Sequence, residues 1–154
     1  MLSLSRKVDY ALIALAHLAG RPGRTSSARE IAEAYDLPPA LLMNIMKELQ
    51  QLEVVRSLRG TKGGYLLAID PAAMSLYDLI VGLEGPVQTT DCIPAPDEQA
   101  EPDGCTCRAT LRCPVQAPLR ALHERLVGFL RQVRLADIIR PTHIDVPLAR
   151  VGQG

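Results

Sequence analysis

Four cysteines, Cys92, Cys105, Cys107 and Cys113, are all the cysteines this chain has, in the spacing C-x12-C-x-C-x5-C. Thiolates select soft metals, either zinc or the iron of iron–sulfur clusters. Structural zinc sites favour short two-cysteine knuckles, and neither C-x-C nor C-x5-C is one. Cys105 and Cys107, with one residue between them, make an awkward disulfide pair, and clustered cysteines in a cytosolic chain more often bind metal or do redox chemistry. The segment Asp91 to Cys113 has three prolines before its second cysteine, and Glu84 to Asp103 holds six acidic residues and no basic one. Such a stretch cannot bury enough apolar surface to fold alone, so a metal centre is the candidate for ordering it. Cys113 precedes an expected helix and has Arg108 and Arg112 close in sequence, which favours its thiolate as a donor. All four cysteines could ligate, or three with a fourth ligand from elsewhere.

The elements around this segment must hold it in place. The chain has 154 residues, 47% of them hydrophobic, enough for a real core without cysteine staples. Formal net charge is zero, which argues against a strongly basic surface. The charge is nevertheless uneven: residues 1–70 carry nine basic and seven acidic groups, and residues 104–140 seven basic and two acidic. Any attraction to a polyanion is therefore local. Arg6 and Lys7 before ALIALAHLAG imitate an export signal, but Asp9 and His17 interrupt the apolar run. No run reaches the roughly 18 apolar residues of a membrane span, so a cytoplasmic protein with no membrane partner is expected.

Val8, Ala11, Leu12, Leu15, Leu18 and Ala19 recur at helical spacing, which predicts a helix over Ser3–Ala19 ended by Gly20. Ser27 and Glu30 form a capping box for a second helix, Ala28–Tyr35, burying Ile31 and Ala32. Asp36-Leu37-Pro38 breaks it, and Pro39 opens a third helix to Leu52 with Leu42, Ile45, Met46, Leu49 and Leu52 inward. VVRSL and YLLAI then flank RGTKGG, whose three glycines suit a hairpin tip. A hairpin directly after a helix-turn-helix is a wing. Ser75 and Asp78 cap a helix over Leu76–Leu83, ended by Gly85-Pro86. After the cysteines, Pro114 starts a long helix on which Val115, Leu119, Leu122, Leu126, Phe129 and Val133 form a heptad seam, with Arg120, His123, Glu124, Arg125 and Arg131 off it. A seam of that length calls for a partner helix.

The expected fold class is mainly α with a small β wing. Its parts are a winged helix-turn-helix DNA-binding domain (1–70), a connecting helix (71–90), a cysteine-rich loop (91–113), a dimerisation helix (114–140) and a flexible tail (141–154). In such modules the second helix of the motif enters the major groove of double-stranded DNA. Here it offers Asn44, Lys47, Gln50 and Gln51. Arg59 at the wing tip can enter a minor groove, while Arg56, Ser57, Thr61 and Lys62 can contact phosphates. The plainer alternative is a solvated loop on a winged-helix protein-interaction domain. A small redox or electron-transfer protein would use the same cysteines, but the chain has no GxGxxG, no P-loop and no paired acid–base constellation, so no enzyme is expected.

The opening LSRKVDYALIALAHLA, the wing VVRSLRGTKGGYLL, the following MSLYDLIVGLEG and the closing CPVQAPLRALHERLVGFLRQVRLADII together resemble the IscR/NsrR (Rrf-two) family of winged-helix transcription regulators, to about residue 140. The resemblance implies a homodimer crossing at the long C-terminal helix. It also implies a [2Fe-2S] or [4Fe-4S] iron–sulfur cluster on three loop cysteines, with a fourth ligand that varies between members. Cys113 matches the family's last cysteine, Cys107 the one before it, and Cys92 the first, with Cys105 as rival or extra ligand. Where IscR-type members have a histidine, this chain has Gln116. The aspartate that NsrR-type members contribute from the other subunit's first helix corresponds to Asp9. Ala40, Leu41 and Met43 replace the Ser, Tyr or Glu frequent on the family's recognition helix, so an operator preference does not carry over. His17 is expected to be structural. A cluster-free regulator of the same fold, sensing by thiol oxidation or holding zinc, is the alternative.

Overall fold

The computed structural model describes residues 4–60, 63–89, 93 and 113–139. Among these, the elements run α1 (Arg6–Ala19), α2 (Ala28–Tyr35), α3 (Pro39–Gln51), β1 (Val55–Leu58), β2 (Gly64–Leu67), α4 (Leu76–Glu84), α5 (Gln116–Gln132) and α6 (Leu135–Ile139).

Helix α1 starts three residues later than the periodicity suggests, because Ser5 takes the N-cap and its hydroxyl accepts the Val8 amide at 3.3 Å. Gly20 does end the helix, but in a right-handed conformation (φ −72°), so its freedom to adopt positive φ is not what stops it. Val8, Ala11, Ala14, Leu15, Leu18 and Ala19 are buried on one face. The alanines keep that face low, and α3, α4, α6 and β2 all pack on α1. Leu42, Ile45, Met46 and Leu49 of α3 and Leu76, Leu79, Ile80 and Leu83 of α4 complete the core. Each such side chain stabilises the fold by about 1.5–3 kcal/mol. Leu52, expected inward, is the C-cap of α3 and only half-buried. Lys7 ties three helices together, donating to Glu48 Oε2 at 2.9 Å and to the Leu83 carbonyl at 2.8 Å.

Capping boxes at Ser27/Glu30 and Ser75/Asp78 are both present, as local chemistry requires. Asp36 ends α2 in the left-handed region (φ 53°) and Glu53 follows α3 in the same way (φ 59°). Val54 then returns its amide to the Leu49 carbonyl at 3.0 Å, which launches β1 straight off the recognition helix.

Strands β1 and β2 pair antiparallel, Val55 opposite Leu67 and Leu58 opposite Gly64. A third, one-residue strand joins them: Ser26 donates to the Tyr65 carbonyl at 3.0 Å and Tyr65 donates back at 2.8 Å. Gly64 makes that approach possible. A Cβ there would lie 2.8 Å from the Ser26 carbonyl, and its φ of 151° disfavours any other residue. Gly63 is equally tight, a Cβ lying 2.6 Å from the Leu58 carbonyl oxygen.

The C-terminal part corrects the expectation of one helix over 114–140. Pro114 lies in a turn, α5 begins at Gln116, and the helix stops at Gln132 because Val133 turns extended (φ −70°, ψ 118°). The Val133 carbonyl accepts the Leu76 amide at 2.8 Å, and Leu135 donates to the Met74 carbonyl at 3.0 Å. The short helix α6 then packs back on α1, burying Leu135 and Ile139. Asp137, three residues after Arg134, accepts the Arg134 amide at 2.9 Å, a local mark of this new helix start.

On α5, His123, one of the residues off the expected seam, is buried together with Val127, and the helix packs against α4. Of the expected seam, Val115, Leu122 and Phe129, spaced by seven, are 52%, 56% and 46% exposed, while Leu119, Leu126 and Val133 are half-buried.

Candidate nucleic-acid interface and cysteine segment

On α3, inward positions at Leu42, Ile45, Met46 and Leu49 leave Ala40, Asn44, Lys47 and Gln51 at i, i+4, i+7 and i+11 along the opposite face, all exposed. Gln50 is exposed as well. Leu41 and Met43 flank that row at 38% and 49% exposed. Strand β1 packs against α3, and its Arg56, Ser57 and Leu58 are all exposed, followed by exposed Arg59. The fold therefore sets Asn44 and Lys47 on α3 and Arg56 and Ser57 on β1, two elements in contact, with Arg59 directly after β1. Thr61 and Lys62 lie outside the described residues; of their neighbours, Gly63 donates its amide to the Gly60 carbonyl at 2.9 Å.

Behind this surface His17 is buried, its Nε2 3.2 Å from Ser26 Oγ and its Nδ1 3.3 Å from the Tyr35 hydroxyl. The imidazole thus supports the residue that pairs with β2. Burial, and then the nearby Arg21 charge, hold its pKa below the usual histidine value, while Glu30 pulls weakly the other way. Glu30 itself titrates below the usual carboxylate range because it accepts the Ser27 amide and hydroxyl. His17 is structural, as expected.

Of the proposed metal donors, Cys113 and Asp9 lie among the described residues, while Cys92, Cys105 and Cys107 lie outside them. Cys113 is a free, half-buried thiol three residues before α5, its carbonyl accepting the Gln116 amide at 3.4 Å. Asp9 is exposed in the first turn of α1. Among the described residues no three His, Cys, Asp or Glu side chains come together as a metal site. Donor chemistry suits a thiolate-held cluster, and both ends of the cysteine segment are anchored. At its start Thr89 Oγ1 lies 3.2 Å from His123 Nδ1 of α5, and Ile93, beside Cys92, is 2% exposed. At its end Cys113 adjoins α5 itself. His123 is a residue that sequence reasoning missed; its two apolar neighbours in the helical register, Leu119 and Val127, were the available signal. Its Nε2 is buried without a hydrogen-bond partner among the described residues.

A helix-turn-helix followed directly by a hairpin, with an exposed recognition row and arginines on the wing, defines a winged-helix transcription regulator. More particularly, the chain belongs to the Rrf2 family, described as iron-dependent transcriptional regulators, whose profile matches residues 4–141. It is 33% identical over 95 residues to the transcriptional regulator NsrR of Bacillus subtilis, covering 61% of this chain and 65% of NsrR. Against IscR of Klebsiella pneumoniae the identity is 28% over 143 residues, 92% of this chain and 82% of that protein. Its fold also matches the solved structure of CymR, the global cysteine regulator of B. subtilis, with a TM-score of 0.66 and 27% identity over 93% of this chain and all of that one. No helix among the described residues is long and apolar enough to cross a membrane.

Proposed function

We propose that the chain is a homodimeric DNA-binding regulator whose loop cysteines hold an iron–sulfur cluster, [2Fe-2S] or [4Fe-4S], and whose grip on DNA follows redox, nitric oxide or iron status. The observation that carries this reading is the way the cysteine segment is strung. It leaves α4 tied to His123 and returns at Cys113 directly into α5, so any change in its order acts on one helix.

Cys113, Cys107 and Cys92 are the thiolate donors in this reading, with Cys105 as rival. Asp9, exposed on α1, serves in this reading as a ligand to the cluster of the partner protomer. A bound cluster supplies a centre that reacts with electrons, oxygen and nitric oxide. The chain's own residues do the rest. The Val115–Leu122–Phe129 row of α5 pairs the protomers, the Thr89–His123 contact couples the segment to that helix, and α4 relays a shift to the wing domain. Half-sites lie about 34 Å apart or at multiples of that, so a change in the spacing of the two α3 helices changes affinity.

The likeness to CymR, a cysteine regulator, supports a second reading in which the same segment senses by thiol oxidation or holds zinc without a cluster. Anaerobic purification followed by absorption spectroscopy, iron and sulfide analysis and duplex binding separates the two. The cluster reading expects a brown or red protein that Cys113→Ala turns colourless with altered DNA affinity. A pale, iron-poor protein that binds its operator normally refutes it.

A further inference from the structure

The recognition helix presents the groove with an apolar first turn. Pro39, Ala40 and Leu41 offer no hydrogen-bonding side chain, and the first such group on the outward row is Asn44. Leu41 and Met43 stand on opposite flanks of that row, 38% and 49% exposed, while the intervening Leu42 is wholly buried. Neither flank residue supports the core. Lys47 on the same helix and Arg56 and Arg59 on the wing, whose first strand packs against α3, are exposed as well, a local positive charge that suits a nucleic-acid duplex. The major groove has one apolar mark on its floor, the 5-methyl group of thymine, and asparagine pairs in two-point fashion with adenine.

We propose that the outward face of α3 selects operators by their thymine methyl groups, contacted by Leu41 and Met43 on either side of an adenine read by Asn44. This rests on the DNA-binding reading above and adds which bases are read. An otherwise thin set of polar base contacts thus becomes a specific one, because an apolar side chain gains on a thymine and gains nothing on a cytosine.

Protein purified anaerobically is used to select duplexes from a random library, and the enriched half-site is resynthesised with deoxyuridine in place of each thymine in turn, which removes only the methyl group. Expected are thymines flanking an adenine and a loss of about fourfold in affinity for each contacted methyl, the worth of one such group removed from water. Leu41→Ala and Met43→Ala each erase the uracil penalty at a different thymine and leave the salt dependence of binding unchanged. If no uracil exchange has an effect, or the penalties persist in both variants, the inference is overturned while DNA binding stands. If no duplex is enriched at all, DNA binding falls and the inference falls with it.

Discussion

Leu122→Ala tests the pairing of protomers. Leu122 sits one heptad from both Val115 and Phe129, and the three are 56%, 52% and 46% exposed. Burying a whole Leu, Val or Phe side chain is worth about 1.5–3 kcal/mol, so the exposed half of each has about 1 kcal/mol still to gain. Across a two-fold axis every side chain counts twice, which gives Leu122 about 2 kcal/mol and the three positions together about 6 kcal/mol before the entropy of association is subtracted. Leu122→Ala is therefore expected to raise the dimer dissociation constant about 30-fold. Leu122→Glu, which sets two carboxylates face to face, should raise it further. Sedimentation over a range of concentrations measures both, and circular dichroism checks that helix content holds, since the buried contacts of α5 are made by His123 and Val127. A wild-type protein that stays monomeric at all concentrations refutes the reasoning. So does a Leu122→Ala variant that dissociates at the wild-type concentration.

Three further outcomes follow from the same geometry. Arg59→Ala should weaken binding to every duplex alike and lower the slope of log affinity against log salt by about one, read by titration at several ionic strengths; an unchanged slope removes Arg59 from the DNA contacts. Gly64→Ala should cost about 2–4 kcal/mol in chemical denaturation, because its Cβ forces apart the Ser26–Tyr65 bridge; a cost under about 0.5 kcal/mol shows that the wing tolerates the shift. His17 takes up a proton less readily in the folded state than unfolded, so stability should decline as pH falls below its ordinary value of 6.5 and be unaffected by His17 above it. Thermal midpoints at pH 7.5 and 5.5 should thus diverge more in the wild type than in His17→Gln, and equal differences refute the assignment.

Much of this protein is determined by neighbours in sequence. The capping boxes at Ser27 and Ser75 need only residues three apart, and the inward row of α3 needs only the helical period. The glycine pair at the wing tip answers a steric demand that the spacing already announces. The four cysteines by type alone offer soft-metal or redox chemistry without saying which. Tertiary structure decided the rest, because the partners are far apart in the chain. Val133 leaves the helix because its carbonyl meets Leu76, and α6 forms where Leu135 and Ile139 can be buried against α1. The heptad pattern of α5 marks one apolar seam and does not say that His123, off it, faces home. The tertiary fold buries His123 and Val127 and leaves Val115, Leu122 and Phe129 in water, a choice set by packing that no local period contains.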